Sequence, residues 1–476
     1  MALIIPGVEV KVVKEVLAPQ LAPSGVLGLV GIVENPAAGV GRAASWRSFI
    51  DGFGAASAFS LPEAAQALGN GVFELVICPV ACNSTASVKL PAAVGNAAAF
   101  TLVARAPGPW GNAISVSIQS RQVPTGKKLD SGEDETRTVF DLTARYAGSD
   151  YKEVHRNLSA DPADQIRNAR DVLAAQSQLL RISEERDKLK APKDSPDIKD
   201  SNAAAYALAG AGDADPDAYR QALAQLENEA DVDMVLVSVQ DTKDATRVGR
   251  IYADVISHCD RMSARSQGRI GFGEVPGASP AEIAAAADKL TGTLVSDRFV
   301  LVAPAGVVGA VAGTTGSLDY FQSPTFKRLS GLGEPVPALG VEAQQELLRK
   351  NVVPIVAQRG RGIIVIRGLT TDGDQISVRR VADHAVRGVK TIGELFIGRL
   401  NNEEGRGALK QKLVEFLVQM QKEGAIVPST DGTDPAFKLN VYSSQQDFAQ
   451  GIVRVDLAVR PVRAIDYIYA TVLVQV

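Results

Sequence analysis

Three segments, Val26–Val33, Phe73–Val80 and Met234–Val239, are apolar almost from end to end, and nothing else in this chain limits its fold so tightly. A strand with one wet face alternates apolar and polar residues, whereas an unbroken run belongs in a sheet covered on both sides. Helical patterns fall between and after these runs, around residues 60–69, at 217–229, across 245–263 and at 280–290. Further strands are expected at Gly268–Gly273 and Arg298–Ala303. Strand and helix in alternation predict an α/β core.

The alternation stops at about residue 83. Short β-like runs follow, Phe100–Ala104, Ile114–Ile118 and Val139–Thr143, separated by Gly, Pro and charged loops, so a β-rich domain is expected to be inserted in the core. It carries one helix, which Asp161 would cap and Pro162 would open, running to about Lys190 with Ile166, Ala169, Val172, Leu173 and Leu180 on its apolar side. Residues 183–200 are charged and read as solvated. Residues 304–345 are rich in Gly and Pro and read as long loops, followed by a helix near 342–350 and a strand at Gly362–Arg367. Asn402 caps the clearest helix, with Leu409, Leu413, Phe416, Leu417 and Met420 in register and Gly424 as its stop. Ile452–Pro461 then alternates, Val453, Val455, Leu457 and Val459 opposing Arg454, Asp456 and Arg460.

A chain of 476 residues exceeds what one core usually serves. The expected layout is a multidomain α/β (α+β) protein: an N-terminal arm at 1–24, an α/β core from 25–82 and 216–345, the insertion at 83–215, a C-terminal domain at 346–460 and a C-terminal arm at 461–476.

Both ends read as strands. Val8, Val10 and Val12 alternate with charged residues after Pro6-Gly7, and Tyr467–Val476 holds no charge, with Ile468, Ala470, Val472, Val474 and Val476 on one face. Strands left without charge or proline on an edge pair with something. Either they add to neighbouring subunits or they pair within their own.

The search for chemistry is negative. Gly39-Val-Gly41-Arg-Ala-Ala44 has the glycines of a dinucleotide loop, but Pro36 and a six-residue gap part them from the strand, where the motif needs an immediate turn. Three His and three Cys, with His258-Cys259 and Cys78/Cys82 as the nearest pairs, supply no metal-ligand spacing; His155 and His384 read as surface residues. Glu403-Glu404 belong to a first helical turn, where negative charge suits the dipole. Lys410, Lys412 and Lys422 leave that helix partly basic on its exposed side. With 50 Lys+Arg against 54 Asp+Glu, the charge of -4 lacks the excess that phosphate contacts demand, so no nucleic acid is expected as a direct partner. Cys78, Cys82 and Cys259 form no even framework, which fits assembly in a reducing cytoplasm. The N-terminus has no basic region ahead of Pro6, and Phe299–Ala312 is broken by Pro304, Gly306 and Gly309, so neither a secretory signal nor a membrane insertion is expected.

Several segments together resemble the contractile tail sheath proteins of myophages, R-type bacteriocins and extracellular contractile injection systems. Pro6-Gly7-Val8-Glu9-Val10 is similar to the family's opening strand, and Val30–Val33, Pro36, Ser45 to Gly54 and Asn70-Gly71 follow in its order. Pro107-Gly-Pro-Trp-Gly-Asn112 resembles the turn that opens the family's inserted domain, and Glu153 to Ser159 is similar to a further element. His258-Cys259 with Arg261-Met262, Gly362–Thr370, Val378–Val381, Gly424–Ile426, Gly451 and Pro461 continue the series; Thr314–Asp319 departs from it.

The resemblance implies a structural subunit without catalytic residues, cofactor or metal. Copies would stack as hexameric rings around an inner tail tube, contract to drive that tube through an envelope, and meet baseplate and terminator proteins in a virion tail or phage-tail-like particle. It also implies strand-adding arms at both termini, with hinges at Pro19, Pro23 and Pro461, and a tube-facing helix bearing Lys410, Lys412 and Lys422. The competing readings are another self-assembling phage protein, such as a tail tube or capsid subunit, and a cytosolic α/β nucleotide-binding enzyme using the 26–44 loop.

Overall fold

The computed structural model describes residues 24–128, 134–147, 149–195 and 206–469. They form two compact units: Ser24–Arg379 together with the chain from Arg463 onward, and Arg380–Val462.

The first unit is built on a nine-stranded mixed sheet. From one edge to the other its strands are Arg328–Leu329, Gly362–Val365, Val352–Gln358, Phe299–Ala303, Ile270–Glu274, Met234–Val237, Val26–Gly31, Glu74–Pro79 and Gly41–Ala43. The inner strands run parallel, and both edges turn antiparallel. Each apolar run buries side chains on both faces. Val26, Val30, Val76 and Val235 face the helices Pro216–Leu226, Ala245–Ala264, Pro280–Thr291 and Val341–Arg349. Leu27, Leu29, Leu75 and Leu236 face the opposite layer. The expected α/β core is therefore present as a three-layer sandwich, and Val352–Gln358 and Gly362–Val365, expected in the last domain, extend the same sheet.

Residues 304–345 are not all loop. Helix Val308–Ser317 lies within them, buried from Val308 to Gly316. A helix buried all round has no polar face, so its period is erased and its glycines imitate a loop. Those glycines have a packing reason: a Cβ on Gly313 would lie 2.5 Å from the carbonyl oxygen of Ala67, in the neighbouring helix Glu63–Gly69.

The insertion leaves the core after Pro79 and returns before Pro216. It holds a four-stranded and a three-stranded antiparallel sheet around one apolar core that includes Phe100, Trp110, Phe140 and Leu173. The helix expected from Asp161 to about Lys190 is shorter and starts later, at Ala169–Gln176 under an Asn168 cap. Asp161 instead closes a local turn through the N–H of Ala163 at 2.9 Å, and Leu180 enters a strand.

The second unit contains helix Glu403–Lys422, the C-terminal part of helix Ile376–Glu394, and the hairpin Phe437–Tyr442/Arg454–Val459. Asn402 caps Glu403–Lys422, its side chain accepting from the N–H of Gly405 at 2.8 Å, and Leu409, Leu413, Leu417 and Met420 are the buried stripe.

Candidate functional site

The hairpin of the second unit is the surface least complete in itself. Its register pairs Phe437 with Val459, Leu439 with Leu457 and Val441 with Val455 on one face, and Lys438 with Ala458 and Asn440 with Asp456 on the other. The apolar face is only half-buried. Beneath it an open groove of about 350 Å³ is lined by Val389, Phe396, Leu409, Leu413, Val453 and Val455. Two strands with a half-covered face make a marginal sheet, and among the described residues both outer edges are unpaired. The connection between the strands is stiffened by Arg454, which grips Asp447 through two hydrogen bonds of 2.9 and 2.8 Å. Arg454, then Ser444, hold the Asp447 carboxyl far below its ordinary range.

The chain leaving this hairpin is fixed on both sides of the unit boundary. Pro461 bridges Ile426, and Val462 donates to the carbonyl of Ala425 at 3.0 Å. In the first unit Arg463 pairs with Asp374 at 2.7 Å, and the Gln375 side chain bonds the main chain of Ala464. Asp466 pairs with Arg367 at 2.8 Å, and that guanidinium lies 5.3 Å from the ring centre of Tyr467. Beyond this clamp Ile468 is 83% exposed and Tyr469 95%.

Ile468 is thus the one expected arm residue that is described, and it faces solvent. Val8, Val10, Val12, Pro19, Pro23, Ala470, Val472, Val474 and Val476 lie outside the described residues. Pro461 sits in a bridge within the second unit. Of the helix cations, Lys410 and Lys422 are exposed, while Lys412 is half-buried and pairs with Glu415 at 2.8 Å. Exposed Glu403, Glu404, Glu415 and Glu423 make that side mixed in charge.

The residues weighed for chemistry take structural places. Gly41–Ala43 is an edge strand antiparallel to Glu74–Pro79, and the N-terminus of the helix that follows it, Trp46–Phe53, is capped by the chain's own Ser45. In a sheet of this topology the ligand crevice opens at the carboxyl ends of Val26–Gly31 and Met234–Val237, where the chain order reverses. Here the crevice is filled from within. Gln240 accepts from the N–H of Trp110 at 3.2 Å and donates to the carbonyl of Ser60, Ser238 donates to Glu63 at 2.9 Å, and Arg105 pairs with Glu34. Glu63 and Glu274 are two further carboxyl groups close enough to act on each other, not groups that would bind a phosphate. Burial raises both carboxyls, and beside Glu63 that of Glu274 reaches about 7.

His155 and His384 are not surface residues as expected. His155 is 7% exposed beside Glu153 at 3.2 Å, because Leu158 and its neighbours carry that strand into the insertion core. His384 packs on Phe416, with ring centres 5.8 Å apart, and burial lowers it to about 4. His258 is buried against Arg269 at 2.8 Å and lowered to about 3, by burial first and by that guanidinium second. Among the described residues no three His, Cys, Asp or Glu side chains gather as metal ligands, and no helix is long and apolar enough to cross a membrane.

Sequence reasoning missed the Gln375 clamp and the Glu63/Glu274 pair, which have no local pattern. It also missed the strand Phe437–Tyr442, although Phe437, Leu439 and Val441 alternate visibly.

Comparison with known families adds an independent line. Residues 212–371 match the model of the phage tail sheath protein central domain, and residues 370–475 match that of the phage tail sheath C-terminal domain. Among solved structures, the fold is similar to the sheath tail protein of Listeria innocua, at 15% identity over 94% of each chain with a TM-score of 0.52. It is similar to the sheath tail protein of Desulfitobacterium hafniense, at 18% identity over 96% of this chain and 97% of that one, with a TM-score of 0.52. A third similar structure is the sheath complex, in its contracted state, of the extracellular contractile injection system PVC: 11% identity, 99% and 98% coverage, TM-score 0.54. A search of curated proteins returns no match.

Proposed function

The chain belongs to the phage tail sheath protein family, and from that premise we propose that its copies polymerise as stacked hexameric rings around an inner tube and contract to drive the tube forward. It is a contractile tail sheath protein of a phage or phage-like injection system, a structural component and not an enzyme.

One observation carries the reading. Among the described residues the hairpin Phe437–Tyr442/Arg454–Val459 has both outer edges unpaired along those strands and a half-covered apolar face, and the sequence from Tyr467 to Val476 is uncharged and alternates apolar residues. The residues from Ile468 to Val476 would add to such an edge on a neighbouring copy, with the stretch around Val8, Val10 and Val12 as the second donor. Each backbone hydrogen bond contributes about 0.5–1.5 kcal/mol net, so a few of them hold neighbours together while the subunits turn. Pro19, Pro23 and Pro461 would serve as bends between arm and body.

Contraction needs no nucleotide in this scheme. If the contracted packing buries ~100 Å² more apolar surface per subunit, it is favoured by roughly 2–3 kcal/mol each, summed along the sheath. Helix Glu403–Lys422, with Lys410 and Lys422 in solvent and Lys412 at its flank, would face the tube. Baseplate and terminator proteins would cap the ends of the polymer.

The test is deletion of Ile468–Val476, which spares the Arg367, Asp374 and Gln375 clamp. Expected are striated hollow tubes from the full chain in negative-stain micrographs, and a folded, unpolymerised product from the truncated one. Normal tubes from the truncated chain would overturn the arm.

A further inference from the structure

The two edges of the nine-stranded sheet carry opposite charge. On the strand Gly41–Ala43, Arg42 meets three carboxylates, Glu229 at 2.6 Å and Glu74 and Asp231 at 2.7 Å. Even with the buried Arg269, whose charge also acts on Asp231, three carboxylates against two guanidinium groups leave this edge net negative. Between 23% and 33% of each acidic side chain is exposed, so that charge faces solvent.

At the opposite edge, Lys327 and Arg328 flank the start of the strand Arg328–Leu329, and Arg359 and Arg361 stand at the turn joining Val352–Gln358 to Gly362–Val365. All four are exposed. Among the described residues none lies within ion-pair distance of a carboxylate. The cluster is nonetheless held in place. Arg328 lies over Gly362, where a Cβ would come within 3.1 Å of its Nε, and Arg361 sits 5.6 Å from the ring centre of Phe326. Each edge also exposes large aromatic side chains, Trp46 at 40% and Phe73 at 56% on the acidic side and Phe326 at 51% on the basic side.

We infer that the acidic edge of one copy docks against the basic edge of the next. This deepens the proposed function and rests on it, naming a lateral contact between neighbouring subunits besides the arms. Two different patches on one molecule that fit each other make a head-to-tail contact, the type that closes into rings or continues as a helix. Edge-to-edge strand pairing is not the bond, since the edge strands span three and two residues, which blunts an edge. Complementary charge sets orientation and speeds encounter, and Trp46 and Phe326 are the residue types that anchor contacts.

The experiment compares assembly of the full-length chain with that of a variant carrying Lys327→Glu, Arg328→Glu, Arg359→Glu and Arg361→Glu, all exposed side chains without ion-pair partners. Sedimentation and negative-stain microscopy across protein and salt concentrations give the readout. The wild type should need more protein as salt rises, because exposed charges are screened, and the variant should need at least about tenfold more at low salt while melting like the wild type. A carbodiimide, which joins Lys to Asp or Glu without a spacer, should link Lys327 of one copy to Glu74, Glu229 or Asp231 of another; mixing isotope-labelled and unlabelled chains identifies such links by mass spectrometry. Unimpaired assembly of the variant beside wild-type polymers that lack these links overturns the interface alone. A wild type that stays monomeric at every salt concentration overturns the polymerisation reading and the interface with it.

Discussion

The side chain of Gln375 holds the main chain of Ala464 in both directions, accepting from its N–H at 2.9 Å and donating to its carbonyl at 3.0 Å. A side-chain amide can do this because its C=O and NH2 repeat the spacing of a peptide group. Gln375 is 5% exposed, so the pair is sheltered from water. Gln375→Leu should free residues 463–469 at a cost of about 1–3 kcal/mol for the lost bonds. Trypsin cleavage after Arg463 should accelerate while the rest of the unit melts almost unchanged.

Glu274 accepts from the N–H of Gly306 at 2.7 Å, and burial, reinforced by the charge of Glu63, lifts its carboxyl from 4.5 to about 7. Tyr252 is the other titratable group facing it. The folded state therefore holds a proton that the unfolded state has released between pH 4.5 and 7. Its contribution is fully present below pH 4.5, is lost as pH rises through 7, and is flat above. Partial contact with solvent limits the effect to about 2 kcal/mol. Thermal melts from pH 5 to 8 should fall more steeply for the wild type than for Glu274→Gln. His258, lowered to about 3, gives the opposite slope between pH 3 and 6.5, but in both proteins, so their difference isolates Glu274.

Gly313 and Gly249 make a matched pair. A Cβ at Gly313 meets the backbone of Ala67 at 2.5 Å, which cannot yield, whereas at Gly249 the nearest atom is the Cδ2 of Leu290 at an ordinary 3.5 Å. Gly313→Ala should destabilise by about 1–3 kcal/mol through overpacking. Gly249→Ala should stabilise helix Ala245–Ala264 by up to about 1 kcal/mol. Denaturant titration of the two variants reads both signs.

The α/β core was legible because strands covered on both faces are apolar without a break, and Val26–Gly31 and Met234–Val237 announce themselves that way. Helix Val308–Ser317 was hidden by the same burial, which left it no polar side. Helix Ile376–Glu394 was legible and was missed: Val381, Ala385 and Ile392 recur at helical spacing and are buried, although Arg380 and Asp383 lie buried among them. Of the surfaces proposed for assembly, the uncharged C-terminal run is written in consecutive residues and was readable. The clamp that roots it joins Gln375 to a residue 89 positions away, and the charged edges of the sheet draw on Arg42, Glu229, Arg328 and Arg361, which only the fold brings into two groups.

The insertion has a consequence for synthesis. The central strand Val26–Gly31 has Glu74–Pro79 on one side and Met234–Val237 on the other, and 234 − 79 = 155 positions separate the end of the first partner from the start of the second. At about 5–20 residues per second, the first half-sheet leaves the ribosome with an open apolar edge for roughly 8–30 s before the strand that closes it exists. Whatever covers that edge in the interval sets how much of the chain folds rather than aggregates.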